Sequence, residues 1–276
     1  MILNLDPTFR PLQGNELAHE AFTFSGGEPH IKLLGPVAEK VTVTHRLNSF
    51  NKVGLLLVAI DALRRAGAKH IEGLIPYFPA ARQDRVMVNG EALTVKVYAE
   101  LINNLNLDKV IIFDPHSDVA PALLDNCKVI NNHSFVSKVT KQLPQKLLLV
   151  SPDAGAVKKI TKLASFLKNY KVLECGKSRD VATGTLSGFK VPIADLEGRD
   201  CLIVDDICDG GGTFLGLADV LKKHNAGELY LAVSHGIFSK GSKDLSRKFK
   251  KIFTTDSFSD NLEGINYIKL KEIIEQ

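Results

Sequence analysis

The stretch Cys201-Leu-Ile-Val-Asp205-Asp206-Ile-Cys-Asp209-Gly210-Gly211-Gly212-Thr213-Phe214 constrains the fold more than any other. An apolar run of strand length meets two adjacent carboxylates, then a third, then three glycines and a threonine. Leu215, Leu217, Ala218, Val220 and Leu221 follow at helical spacing, so the reading is strand, acidic turn, glycine loop, helix. Glycines let backbone N–H groups come close to an anion, and the helix that follows directs its positive end at it. Carboxylates repel phosphate, but they accept hydrogen bonds from sugar hydroxyls, directly or through a hydrated Mg²⁺. Acids that merely cap the next helix are the competing reading. Three of them ahead of a glycine-rich helix entry favour a site for a phosphorylated sugar.

The rest of the chain repeats the alternation. Met1–Leu5, Ile31–Leu34 and Val41–Thr44 read as strands, and Val53–Gly67 as a helix that Gly67 closes. Strands over Ile71–Phe78 and Lys109–Phe113 flank a helix over Thr94–Leu105. A second set runs from Phe135–Leu143 (helix) through Lys146–Val150 (strand), Gly155–Leu167 (helix) and Tyr170–Cys175 (strand). The segment Gly176–Pro192 reads as irregular and mobile, and Leu229–Ser234 as a strand. Such alternation predicts an α/β fold of parallel sheets covered by helices. The expected domains are residues 1–132 and 133–276, with the end from Tyr267 to Gln276 packing on the first.

The net charge of +4 is too small to suggest a nucleic-acid or membrane partner, and no apolar run reaches bilayer length. Cys127, Cys175, Cys201 and Cys208 lack CxxC spacing and follow no secretory signal, so reduced thiols in the cytoplasm are expected.

Ligands of open α/β sheets bind at the carboxyl ends of strands, where several polar clusters fall. These are Arg82-Gln83-Asp84-Arg85, Asp114-Pro115-His116-Ser117-Asp118, Ser151-Pro152-Asp153-Ala154-Gly155 and Gly176-Lys177-Ser178-Arg179. Two guanidiniums match phosphate oxygens, and a glutamine reads a purine edge or a ribose. Each cluster alone has a plain alternative: a salt-bridged turn, a structural histidine, a helix cap, a solvated loop. Their recurrence at corresponding strand ends is the stronger signal.

The 201–214 stretch resembles the phosphoribosyl-pyrophosphate (PRPP) binding signature shared by type I phosphoribosyltransferases and ribose-phosphate pyrophosphokinases. Pro76-Tyr-Phe-Pro-Ala-Ala-Arg82-Gln83-Asp84-Arg85 is similar to the ATP-site signature of the kinases alone. Five ordered motifs between Phe22 and Asp256 carry that resemblance. It implies two type I phosphoribosyltransferase-like domains, each a mainly parallel sheet flanked by helices. It further implies transfer of a diphosphate from Mg-ATP to the 1-hydroxyl of ribose 5-phosphate, giving PRPP and AMP. By resemblance, Asp205, Asp206 and Asp209 hold the ribose, and Gly210, Gly211, Gly212 and Thr213 the 5-phosphate. Arg82, Gln83, Asp84 and His116 hold ATP, with Phe24 and Glu28 of Phe24-Ser-Gly-Gly-Glu28 on the adenine, in such enzymes often across a subunit interface. His116 and Asp153 serve Mg²⁺, while Lys177 and Arg179 on a flexible loop, together with His116, are catalytic. A homo-oligomer is expected, and His235-Gly-Ile-Phe-Ser239 matches a late THGxFS element.

Two departures stand out. Gly210 occupies a position that usually carries Thr or Ser, which removes a hydroxyl donor and widens the loop. An esterified 5-phosphate such as that of ADP-ribose, which has a free 1-hydroxyl, is therefore an alternative acceptor. Val86-Met-Val-Asn-Gly90 replaces a more basic run tied to allosteric phosphate and ADP sites, so that regulation and the usual hexamer are not expected. A catalytically silent, nucleotide-binding regulatory homologue is the reading from a different class.

Overall fold

The computed structural model describes residues 1–168, 170–179 and 186–274, with only the backbone of 177–179, 186 and 187. The chain divides into two units, Met1–Asn131 joined by the end from Lys269, and Asn132–Ile268.

The first unit holds β1 (Ile2–Asn4), the hairpin β2 (Ala18–Thr23) and β3 (Pro29–Leu34), β4 (Lys40–Thr44), α1 (Phe50–Arg65), β5 (His70–Leu74), α2 (Thr94–Asn103), β6 (Lys109–Phe113), α3 (Val119–Leu123) and β7 (Cys127–Ile130). Its five-stranded sheet runs β1-β4-β5-β6-β7, with every pairing parallel. A parallel sheet buries both faces, which is why its strands carry inward Val41, Val43, Ile71, Val110 and Ile112. Val53, Leu56, Ala59, Ile60 and Leu63 form the fully buried stripe of α1. The Ser49 side chain caps its start. At its end, Ala68 N–H bonds Leu63 C=O and Gly67 N–H bonds Arg64 C=O around Gly67 at φ 101°, a Schellman closure. The strand expected to reach Phe78 stops at Leu74. Pro76 has no N–H to donate, although its carbonyl still accepts from Phe113.

The second unit holds α4 (His133–Thr140), β8 (Leu147–Ser151), α5 (Val157–Leu167), β9 (Lys171–Glu174), the ribbon β10 (Gly176–Arg179) and β11 (Leu186–Lys190), β12 (Asp200–Cys208), α6 (Gly212–Lys223), β13 (Leu229–Gly236), α7 (Lys243–Ser246), β14 (Lys251–Thr255) and β15 (Asn266–Ile268). The chain then enters α8 (Lys271–Ile274) in the first unit, where Ile273 is buried. The six-stranded sheet runs β15-β14-β13-β12-β8-β9, again parallel throughout. From β8 the chain steps outward to β9, then returns to β12 and proceeds the other way. The switch point therefore lies between β8 and β12.

The segment read as irregular, Gly176–Pro192, instead contains an antiparallel ribbon with a register shift between Ser178 and Arg179. The reason is packing. Phe189 sits so close to α6 that a Cβ on Gly216 would approach its ring to 2.8 Å, and this anchor holds β11 extended. Among the described residues no helix is long and apolar enough to cross a membrane.

Candidate active site

In the second unit the site grows out of unequal strand lengths. β8 pairs with β12 only as far as Val150↔Ile203, whereas β12 continues beside β13 to Cys208↔Gly236. Asp205 and Asp206 therefore project beyond the end of β8, into the crevice at the switch point. Both line a small cavity with Asn132, Lys159 and Val204. Asp206 N–H donates to Asp205 Oδ1 at 3.0 Å. Burial pushes the Asp205 carboxyl well above its usual range, and the neighbouring Asp206 and then Asp153 add to the shift. Two acids this crowded do not both carry charge at no cost, and a donor-rich or cationic ligand would relieve the repulsion between them.

Past Cys208 the chain turns at Asp209–Gly211 and enters α6. Gly211, at φ 76°, is its N-cap. Thus Gly212 and Thr213, expected in the loop, are the first residues of the helix, because the left-handed turn at Gly211 completes the reversal two residues early. The first-turn amides of α6 have no intrahelical acceptor, which makes this end an anion cradle. The loop after β13 backs it: Ile237 and Phe238 N–H bond Cys208 C=O, and Ser239 N–H bonds Asp209 C=O. Gly236 is required there, since a Cβ would lie 2.2 Å from the Phe238 ring. His235, in the same motif, is buried with Nδ1 2.7 Å from Ser257 Oγ, an anchoring role.

Asp153 follows β8. Its Oδ1 accepts from Gly155 and Ala156 N–H at 3.0 and 3.2 Å, so it shapes the entry to α5 in addition to facing Asp205. The backbones of Lys177 and Arg179 lie in β10, opposite Phe189 and Leu186; their side chains lie outside the described residues.

In the first unit, two loops at the carboxyl end of the sheet meet. Asp84 is buried, and its Oδ1 accepts from Arg85 Nε at 2.9 Å. Burial opposes its charge, but Arg85, the Ser117 hydroxyl and the His116 charge hold the carboxyl below its usual range. Asp84 thus ties the loop after β5 to Asp114–Asp118 after β6, while Arg82 and Gln83 are exposed and His116 is half-buried. Asp114 is itself buried at φ 36°, its N–H bonded to Ile130 C=O. Phe24 and Glu28 stand apart, at the tip of the β2–β3 hairpin. Phe24 is 53% exposed and clusters edge-on with Phe22 and His30.

The donors suit a hard cation unequally. Among the described residues no group of three or more His, Cys, Asp or Glu is arranged to hold a metal by protein ligands alone. Mg²⁺ commonly takes one or two carboxylates with substrate phosphates and water, which fits Asp153 beside Asp205. An imidazole is a poor match for it, so His116 fits a phosphate oxygen better.

Sequence reasoning missed Ser117 as a partner of Asp84, Lys159 beside the acid pair, and Lys240. The Lys240 stem lies against Gly210. No local signal marks Lys240; only the β12–β13 register brings it there.

A model of the N-terminal domain of ribose phosphate pyrophosphokinase matches residues 14–105, and a phosphoribosyl transferase domain model matches residues 130–267. A ribose-phosphate pyrophosphokinase of Maricaulis maris is 35% identical over 74% of this chain and 67% of its own length. That of Shewanella oneidensis is 32% identical over 79% of this chain and 70% of its own. The chain spans about two thirds of the length of the curated relatives it matches, 66% for that of Corynebacterium efficiens. The fold is that of a phosphoribosylpyrophosphate synthetase from Mycobacterium smegmatis, with TM-score 0.85 over 99% of this chain and 95% of that one at 22% identity. Two phosphoribosyltransferase-like domains, each with a parallel sheet between helices, carry the matching motifs in order, and the chain belongs to the ribose-phosphate pyrophosphokinase family.

Proposed function

We propose that this chain transfers the β,γ-diphosphate of ATP to the 1-hydroxyl of a ribose 5-phosphate, forming PRPP and AMP. The observation that carries the proposal is the crevice between β8 and β12, where an acid pair and a helix N-terminus lie in one continuous strand–turn–helix, an arrangement suited to a sugar diol next to a phosphate. In the reaction the ribose 1-oxygen bonds to the β-phosphorus. The bond from that phosphorus to the α–β bridging oxygen breaks, AMP leaves with that oxygen, and the hydroxyl proton passes to solvent.

Asp205, Asp206 and Asp209 accept from the ribose hydroxyls and fix the 1-oxygen in line. The amides of Gly210–Thr213 and the Thr213 hydroxyl bind the 5-phosphate. Arg82 and Gln83 bind ATP, with Asp84 holding their loop against His116, which contacts a phosphate oxygen. Phe24 and Glu28 take the adenine, and their exposed position supports delivery to a neighbouring copy in a homo-oligomer. Lys177 and Arg179 neutralise the oxygens that gain charge as the diphosphate moves. Mg²⁺, when bound near Asp153, offsets triphosphate charge. No general base is required, since positioning and electrostatics carry most of phosphoryl transfer.

The test is AMP release from Mg-ATP with ribose 5-phosphate, with products identified by mass. The proposal requires PRPP and AMP in equal amounts. No AMP release with any phosphorylated ribose would leave the silent regulatory reading in its place, and AMP release without a diphosphorylated sugar would mean hydrolysis of ATP instead of transfer.

A further inference from the structure

Gly210 and Gly211 differ in why they are glycines. Gly211 sits at φ 76°, and a Cβ there would press on Leu245 at 3.2–3.3 Å, so backbone and packing both demand glycine. Gly210 lies outside the left-handed region, so its φ does not itself demand glycine. What lies where its side chain would point is the stem of Lys240: Cε, Cδ and Cγ at 3.5, 3.6 and 3.8 Å from an ideal Cβ. Lys240 is held at this place by the backbone bonds from Ile237, Phe238 and Ser239 to Cys208 and Asp209. Its side chain is exposed, and among the described residues it makes no hydrogen bond or ion pair. A second side of the cradle is open as well, because nothing lies within 4 Å of a Cβ at Gly212.

A monophosphate needs no exit from such a cradle. An ester does: one phosphate oxygen must continue out of the loop to the next group. Over Gly210 the wall is a flexible lysine stem that swings aside at little cost, and it ends in an uncommitted ammonium. That combination matches a bridging oxygen leading to a second, anionic phosphate.

We infer that Lys240 is a specificity-determining residue that recognises a second phosphate on the acceptor, so that the site favours a ribose carrying a 5-diphosphate ester, as in a nucleoside-diphosphate ribose, over ribose 5-phosphate. The inference rests on the proposed diphosphate transfer and leaves its bond changes untouched: the acceptor's free 1-hydroxyl still attacks the β-phosphorus and AMP still leaves. A charge-assisted contact to a phosphate oxygen sets the expected size, about tenfold or more in kcat/KM.

The experiment compares ADP-ribose with ribose 5-phosphate as acceptors for the full chain and for K240M, K240R and G210T. ADP-ribose is expected to be the better acceptor of the unaltered chain. K240M, which keeps the stem and removes the charge, is expected to lower kcat/KM for ADP-ribose at least about tenfold more than for ribose 5-phosphate, and K240R to restore most of it. G210T is expected to shift the ratio towards ribose 5-phosphate. Equal effects of K240M on both acceptors, or none on either, would overturn the inference. If neither acceptor releases AMP, the proposed function fails. Calorimetric binding of the same two ligands then decides the inference by itself: a selective loss of ADP-ribose affinity in K240M upholds it and a parallel change refutes it.

Discussion

His45 makes the first unit sensitive to acid. It follows the last residue of β4 and is fully buried, and neither ring nitrogen has a hydrogen-bond partner among the described residues. Burial first, then the Lys52 ammonium, lowers its pKa from 6.5 to about 3, with Asp6 and a long contact to the Lys52 backbone opposing. Asp6 is already engaged in a two-pronged pair with Arg46, at 2.7 and 2.9 Å. The folded state therefore keeps the imidazole neutral while the unfolded chain protonates below 6.5. The unfolded state binds the extra proton, so stability is full above 6.5, falls as the pH drops, and stops falling near 3. Each unit is worth about 1.4 kcal/mol, so pH 5 costs about 2 kcal/mol relative to neutral pH. The perturbation is His45→Leu, which removes the titrating group and two unsatisfied nitrogens. Because the chain forms two units, hydrogen exchange of the β4 and β5 amides against urea is the appropriate readout. The unaltered chain is expected to lose about 2 kcal/mol more than the variant between pH 7 and pH 5. The same loss in both would refute the reasoning.

The glycine loop and the acid pair give sharper functional contrasts. Gly211→Ala is expected to destabilise by about 1–2 kcal/mol and to raise the acceptor KM, whereas Gly212→Ala, in right-handed backbone within open space, is expected to hold or raise stability; urea titration of both variants checks this. Asp205→Asn removes an acid whose folded pKa is raised, so its cost to stability grows as pH rises above the unfolded value of about 3.8. That variant is expected to be more stable than the unaltered chain at pH 7 and weaker in acceptor binding; lower thermal stability at pH 7 would contradict it. Lys177→Ala is expected to cut turnover by about 10²–10³ with unchanged far-ultraviolet dichroism, and full turnover in this variant would remove Lys177 from the mechanism.

Much of the candidate site was legible because its chemistry is written in continuous segments. Asp205 through Thr213 is one strand–turn–helix, and an anion cradle needs nothing from elsewhere to be recognised. Arg82–Arg85 and Asp114–Asp118 were legible for the same reason. Their meeting at Asp84 and Ser117 was not, because it depends on β5 and β6 lying side by side. Short elements escaped as well. β7 and β14 are too short and too ordinary in composition to stand out, and the ribbon of β10 and β11 is held by Phe189 against α6 rather than by its own pattern. Asp153 shows the limit of motif reading, since its oxygen also serves the turn into α5.

Sequence alone determined the α/β alternation, the fully apolar parallel strands and the acid–glycine turn, because strand and helix periods and glycine chemistry act over a few neighbouring residues. Tertiary structure decided the crevice and the identity of its walls. β12 outruns β8 at Ile203, and the parallel register Cys208↔Gly236 sets Lys240 against Gly210. The physical reason is that parallel pairing joins residues separated by a whole helix, and no local pattern encodes which of them will face one another.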